Sequence, residues 1–371
     1  MSADLATLFN DFDRGRLSRR QLLQALGLAI AIRPASALAQ GQCGGARAGT
    51  PECDPTPAKL PFAPTGWKTV LLDQLSCQVA DYPKEAAYYA ALMNWKIRSD
   101  DGKQAVLDIG DWGGLVLRGG YQAPPAPSSS DAAAGAGGGR GGAPRAPRNA
   151  AFDSFCWGIE PWDARKVEAE LRQRGLTPIA DNQGKDFESF HVKDPDGFDL
   201  QISNGSRKNR RQGSATGKTS APAPFEPTSW KTVWLDHISF EVSNYKETVA
   251  FYTALLGWKA GTDEGSQSQC QIGDIGDIII RRGGGGNRGA APSAMPQARR
   301  AAMGHISFGI AAFDPDQVKV ELEKRGLTAR VDTGGRGDIH TSSYKSYHTT
   351  TPNGFDLQIS ATTRANRTPT A

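Results

Sequence analysis

Along this chain, short runs of alternating apolar and polar residues are followed by longer runs with a different period. "LDHISFEV" (235–242) and "MGHISFGI" (303–310) alternate with the period of two expected of a half-buried β-strand. "YKETVAFYTALLGW" (245–258) and "DPDQVKVELEKRGL" (314–327) return an apolar residue every three or four positions, as an amphipathic helix does. In the second of these Lys324-Arg325-Gly326 supplies the stop. After each helix come three more strand-like runs. In the last unit they are "TARVDT", "SSYKSYHTT" and "FDLQIS", with Pro352-Asn353-Gly354 as the tight turn before the final one. The pattern predicts a strand–helix–strand–strand–strand unit.

The unit recurs. "GWKTVLLDQLSCQV" (66–79) matches "SWKTVWLDHISFEV" (229–242), "NWKI" (94–97) matches "GWKA" (257–260), and "IGDWGGLVLRGG" (109–120) matches "IGDIGDIIIRRG" (272–283), all at an offset of 163. "DPDGFDLQIS" (194–203) and "TPNGFDLQIS" (351–360) close the two copies. The chain therefore reads as a tandem duplication with domains at 66–203 and 229–360, each holding two units. The fold class expected is α+β. Residues 204–228 form a linker and 361–371 a C-terminal tail. The linker's "ATGKTS" lacks the earlier glycine and flanking strand of a phosphate loop.

Strand parity marks a polar face. Alternate side chains of a strand share a side, so His237, Ser239 and Glu241 face opposite to Ile238, Phe240 and Val242. His305 and Ser307 share the matching face of their strand, as do Asp356, Gln358 and Ser360 of theirs. The apolar sets pack under the helices, so His237, His305 and Gln358 reach one polar surface from three strands. In the first domain the matching positions hold Gln74, Ser154 and Gln201, and Gln78 stands for Glu241. That surface has no imidazole or carboxylate at these positions and is expected to be metal-poor. The alternative reading of His237 and His305 is a pair of hydrogen-bonded histidines lining an organic-ligand pocket.

Composition and charge add a compartment. The 371 residues carry a formal charge of +4. Much of the basic excess lies in glycine-rich runs such as "GGGRGGAPRAPR" (137–148), "SRKNRRQG" (206–213) and "RRGGGGNRG" (281–289), which read as solvated connectors and not as nucleic-acid surfaces. "LSRRQLLQALGLAIAIRPASALAQ" (17–40) pairs Arg19 with Arg20, continues in an apolar run from Leu22 to Ile32, and ends in Ala37-Leu38-Ala39. It predicts a twin-arginine signal over 1–39, an N-terminal tail over 40–65, and a periplasmic or secreted protein whose partner in transit is the twin-arginine export machinery. The apolar run falls short of the ~20 residues of a membrane span, so no stable anchor is expected. In an oxidising compartment Cys43 and Cys53 are candidates for a small disulfide, whereas Cys77, Cys156 and Cys270 stand singly in strand-like runs. A homo-oligomer is left open.

Taken together, the βαβββ unit, "DHISFEV…FYTALLGW" and the "DPDGFDLQI"/"TPNGFDLQI" endings resemble the vicinal oxygen chelate superfamily of glyoxalases, bleomycin-resistance proteins and extradiol dioxygenases. The resemblance covers both domains. It implies four modules paired into two cupped, eight-stranded half-barrels, with metal in the second, as in extradiol dioxygenases. It implies His237 and His305 as metal ligands and Gln358 at the place where the family normally has glutamate, with Glu241 as a substitute anion. The implied metal is Fe(II) or Mn(II), with Zn or Ni as further options, and the implied substrate is a small aromatic or vicinal-oxygen molecule. In the extradiol signature a histidine precedes an aromatic or aliphatic residue, a tyrosine, Pro-x-Gly and the glutamate. Here His340, Tyr347-His348, Pro352-Asn353-Gly354 and Gln358 follow that order. His340 lies within six extra residues of the second domain and takes the acid–base position. His348 takes the substrate-bonding position, with Tyr344 and Ser346 on its strand face. The function implied is an extradiol-type dioxygenase. A glyoxalase-type lyase or isomerase and a non-catalytic periplasmic binding protein are the alternatives.

Overall fold

Each βαβββ unit opens its helix with a side chain that caps it. A computed structural model describes residues 58–111, 113–122, 148–181, 186–209, 217–263, 265, 267–282, 301–332 and 345–366. The signal segment, Cys43, Cys53, His340 and Tyr344 lie outside the described residues. Helix α1 (Tyr82–Met93) starts at Asp81, whose side chain accepts from the Lys84 amide, and α2 (Ala164–Gln173) starts at Asp163 in the same way. Helix α3 (Tyr245–Leu256) is capped by Asn244 and α4 (Pro315–Lys324) by Asp314. The first and third helices end in left-handed residues, Asn94 and Gly257. At Gly257 a side chain has no room, because a Cβ there would come within 2.4 Å of the Trp67 carbonyl oxygen.

The strands form two eight-stranded sheets of identical topology. In chain order the first holds β1 (Lys68–Val79), β2 (Lys96–Asp100), β3 (Gln104–Ile109), β4 (Gly113–Arg118), β5 (Ala150–Glu160), β6 (Ile179–Ala180), β7 (Ser189–Lys193) and β8 (Asp199–Ser203). The second holds β9 (Thr232–Val242), β10 (Lys259–Asp263), β11 (Gln267–Ile272), β12 (Gly276–Arg282), β13 (Ala302–Ile310), β14 (Arg330–Val331), β15 (Ser346–Thr350) and β16 (Asp356–Ser360). Their spatial orders are β2-β3-β4-β1-β5-β8-β7-β6 and β10-β11-β12-β9-β13-β16-β15-β14. In each sheet the first strands of two modules pair antiparallel at the centre, β1 with β5 and β9 with β13.

The apolar faces of both sheets and the helices share one core. Trp157 of β5 packs edge-on against Trp258, with ring centres 5.4 Å apart, and Phe155 lies within 5.8 to 6.4 Å of Phe240, Tyr252 and Trp258. Reciprocally, Trp95 meets Phe308 at 5.1 Å. Each junction tryptophan donates across the seam: Trp95 to the Thr232 hydroxyl at 2.9 Å and Trp258 to Thr69 at 3.0 Å. Such bonds contribute about 1 kcal/mol each. Burying an aromatic side chain contributes about 2–3 kcal/mol, so the rings dominate the joining of the two halves.

The seam also buries two acids, one on a helix and one in a turn. Asn353, in the turn before β16, donates its side-chain amide to Glu85 of α1 at 2.8 Å. Asp194, in the matching turn of the first domain, accepts from the Tyr252 hydroxyl at 3.1 Å and from the Phe198 amide at 2.8 Å. Burial pushes the Asp194 carboxyl up to about 6, against 3.8 for a free aspartate, although these hydrogen bonds pull the other way. The folded state thus holds a proton that the unfolded chain releases. Stability from this group is fully present below pH 3.8 and is lost as pH rises through about 6. The Asp194→Asn protein is expected to be more stable than wild type at pH 8, by on the order of 3 kcal/mol, with the difference vanishing towards pH 4. Thermal unfolding of both proteins across pH 4–8 checks this, and a difference that does not vary with pH contradicts it.

Candidate metal centre

Cross-strand register fixes which side chains meet on the polar face of the second sheet. One row runs Asp277, His237, Ser307, Gln358, His348 and Arg330 across β12, β9, β13, β16, β15 and β14. The next row runs Ile279, Ser239, His305, Asp356 and Thr350. Directly opposed residues in a sheet project to the same side. His237 and His305 sit on a diagonal between the rows, and their Nε2 atoms are 2.9 Å apart. Their ring centres are 5.1 Å apart at 79°. His348 continues the row, with its ring 5.1 Å from that of His305 at 81°. His237 and His348 are buried and His305 is half-buried.

Two β-bulges set this diagonal. Between the pairs Leu235↔Phe308 and His237↔Ser307 the strand β9 carries one extra residue, Asp236. A bulge redirects side chains locally, and the Asp236 carboxylate turns back to accept from the Ser307 hydroxyl at 2.8 Å. It also stands 3.5 Å from His237 Nδ1. A carboxylate there favours the tautomer protonated on Nδ1, leaving the Nε2 lone pair facing His305. Strict alternation along "LDHISFEV" places Asp236 on the apolar side, and the bulge corrects that expectation. The second bulge, on β13 between Met303 and His305, inserts Gly304. Arg148 of the first domain donates to the carbonyls on both sides of that kink, Met303 O at 2.9 Å and Gly304 O at 2.7 Å.

Gln358 is fully buried, and its amide NH2 donates to Ser346 Oγ at 2.8 Å and to Asp332 Oδ2 at 3.1 Å. His348 Nδ1 pairs with Asp356 Oδ1 at 2.8 Å, and Arg330 donates to the other oxygen of that carboxylate at 3.0 Å. Glu241 is not brought into the group. It lies opposite Ala302 and Arg281, two residues beyond the Ser239↔His305 pair. Among the described residues no three His, Cys, Asp or Glu side chains surround one point as a ready metal cage. Asp236, Asp332 and Asp356 are the participants that sequence reasoning missed. Asp356 was on the predicted face, whereas Asp332 follows a two-residue edge strand without a readable period.

The first sheet repeats the frame without the histidine pair. His191 Nδ1 pairs with Asp199 at 3.0 Å, His191 Nε2 lies 3.3 Å from Asp181, and Gln201 donates to Ser189 at 2.8 Å. The hydrogen bond to Asp199 raises the pKa of His191 above that of a free imidazole. Gln74 donates to Gln201 Oε1 at 3.3 Å where the second sheet has His237. Two internal ion pairs, Arg98 with Asp108 and Arg118 with Asp153, occupy this face beside a pocket of about 290 Å³ lined in part by Gln74, Arg98 and Arg118.

Two nitrogen ligands at right angles, each about 2.1 Å from one ion, are about 3.0 Å apart. The His237–His305 pair fits that bite, and it fits equally a hydrogen bond between neutral rings. The donors fit a divalent cation at two positions. The carboxylate of a two-histidine facial set is absent from Gln358.

No protein-family model and no curated protein sequence matches the chain. Solved structures do. The Mn(II)-bound glyoxalase from Novosphingobium aromaticivorans is similar over 79% of this chain and 82% of its own, at 15% identity and a TM-score of 0.53. Homoprotocatechuate 2,3-dioxygenase from Brevibacterium fuscum, in its anaerobic complex with 3,4-dihydroxyphenylacetate, is similar over 82% of this chain and 84% of its own, at 17% identity and a TM-score of 0.53. The E323L mutant of the same dioxygenase gives 16% identity and a TM-score of 0.51 over 82% and 74% of the chains. The two eight-stranded sheets, each built from a pair of βαβββ modules, share the fold of this glyoxalase and this dioxygenase.

Proposed function

We propose that this protein is an exported metal-dependent enzyme of the vicinal oxygen chelate type, with a chemistry nearest to extradiol ring cleavage. The observation that carries the reading is the imidazole pair, 2.9 Å between Nε2 atoms, on the polar face of the second sheet and absent from the first. Charge supports it. Asp236, Asp277, Asp332 and Asp356 surround the histidines with Arg330 among them, a field that favours a cation. On the first face Arg98 and Arg118 neutralise Asp108 and Asp153.

His237 and His305 would hold the metal, Fe(II) or Mn(II). A divalent ion there supplies Lewis-acid polarisation and a template for two neighbouring substrate oxygens. Asp236 keeps the His237 Nε2 lone pair available, and Ser307 fixes Asp236. The proposed substrate is a small molecule with vicinal oxygens, aromatic in the extradiol case, bound above the two rows. His340 is proposed as acid–base, from its position upstream of Tyr347-His348 and Pro352-Asn353-Gly354. A glyoxalase-type lyase is the second reading, favoured by the equal TM-scores of the glyoxalase and the substrate-bound dioxygenase. Export is proposed from Arg19-Arg20 and the apolar run behind them.

Anaerobic titration of the mature protein with Fe(II) or Mn(II) is expected to give one bound ion per chain. His237→Ala and His305→Ala each weaken it by on the order of 100-fold or more, and Gln74→Ala leaves it unchanged. A protein that takes up no ion overturns the enzyme reading in favour of a binding protein. Oxygen uptake with catechols separates the dioxygenase from the lyase. In that assay His340→Ala is expected to lower turnover by about 10²–10⁴-fold while metal stays bound, and unchanged turnover removes His340 from the site. Replacing Arg19 and Arg20 by lysine is expected to trap the full-length chain in the cytoplasm, which cell fractionation reads directly.

A further inference from the structure

The first sheet takes no part in the cation site proposed above, yet it carries a pocket of its own. The volume of about 290 Å³ is near the lower end of the ~300–1,000 Å³ of small-molecule sites. Val106 of β3 and Val116 of β4 stand directly opposite each other and give the pocket an apolar floor. Along β4, Val116 lies between Gly114 and Arg118. The Arg98 guanidinium covers the Gly114 end, with Nη2 3.6 Å from where a Cβ on Gly114 would stand, and Arg118 closes the other.

A bulge puts Arg98 there. Strand β2 carries it as an extra residue between the pairs Ile97↔Leu107 and Ser99↔Val106, and a bulge re-aims the side chains it carries. Asp108 then fixes the guanidinium, accepting from Nε at 3.0 Å and from Nη2. Asp153 of β5 holds Arg118 through Nη2. Each carboxylate orients its arginine, and the Nη1 groups of both have no acceptor among the described residues. Lys96, opposite Asp108, adds a cation to the same side. Lys96, Arg98 and Arg118 against Asp108 and Asp153 leave one positive charge in excess.

This arrangement does not belong to the duplicated frame. At the offset of 163, Gly261 replaces Arg98, Asp277 replaces Gly114 and Gln269 replaces Val106. The second sheet thus lacks the bulge arginine, the open floor beneath it and half of the apolar surface.

We propose that the first sheet binds a small organic monocarboxylate with a flat apolar body. The carboxylate accepts from Arg98, and the body lies over Val106 and Val116 towards Arg118. A charge-assisted bond of this kind is strong where water is partly excluded, and the Arg98 side chain is only 15% exposed. The proposal stands apart from the metal reading, because every residue it uses is on the other sheet.

The test titrates metal-free, full-length mature protein with sodium benzoate and follows the ligand by saturation-transfer nuclear magnetic resonance. Saturable binding is expected, with benzamide and acetate each weaker by tenfold or more. The double variant Arg98→Gln/Asp108→Asn removes the ion pair as a unit, so no buried carboxylate is left unpaired. It is expected to weaken benzoate by on the order of 10–100-fold. Val106→Gln, which installs the residue of the second copy and keeps the ion pair, is expected to weaken benzoate by about tenfold and leave acetate unchanged. His237→Ala is expected to bind benzoate as wild type does. Absence of saturable binding, benzamide binding as tightly as benzoate, or both first-sheet variants within threefold of wild type overturns the proposal. So does a loss confined to His237→Ala, which places benzoate on the second sheet.

Discussion

The antiparallel pairing of β9 with β13 is the constraint on which the candidate centre depends. It joins two modules at the middle of the sheet and sets Ser307 opposite His237 and Ser239 opposite His305. A slip of one residue in that pairing would turn every side chain of one strand to the other face, burying an imidazole among Ile306, Phe308 and Ile238. The cost of placing polar rings in that core holds the register, and the register brings the two Nε2 atoms within 2.9 Å. The bulges at Asp236 and Gly304 act within this frame. Each adds one residue to one strand, so that Leu235 and Met303 beyond them turn to the apolar side.

Duplication makes the second sheet interpretable through the first. The aspartate–histidine pairs, the buried glutamines and the serines beneath them occur in both copies. They form a hydrogen-bonded lattice that satisfies buried polar groups whether or not a histidine pair is present. On the first face arginine–carboxylate pairs and Gln74 occupy the space. On the second face Gly261 stands where Arg98 would be and Gly304 where Asp153 would be, whereas Arg118 keeps a counterpart in Arg281. The difference between the copies is therefore local, a few side chains on a shared frame.

Much of this was legible in the sequence, for a physical reason. Both sheets are polar on one side and apolar on the other, so alternation in "DHISFEV" and "GHISFGI" reports directly which way His237 and His305 point. The repeated "FDLQIS" likewise reveals the duplication into two domains. What alternation cannot report is a bulge, because the extra residue breaks the period where the chemistry sits, and Asp236 was hidden for that reason. Nor can it report how an amide divides its donors. Gln358 reads as a ligand from its position, and its contacts show that its NH2 donates to Ser346 and Asp332. Asp332 escaped because a two-residue edge strand is too short to have a period.

Arg148 adds a dependence between the halves. Its guanidinium leaves the first domain, crosses over the Phe355 ring at 5.2 Å and grips the two carbonyls of the kink that precedes His305. The copy without the histidine pair thus serves as a brace for the copy that has it. Loss of the first half would therefore loosen the kink that precedes His305 in the second, which gives a mechanical reason for both copies to persist.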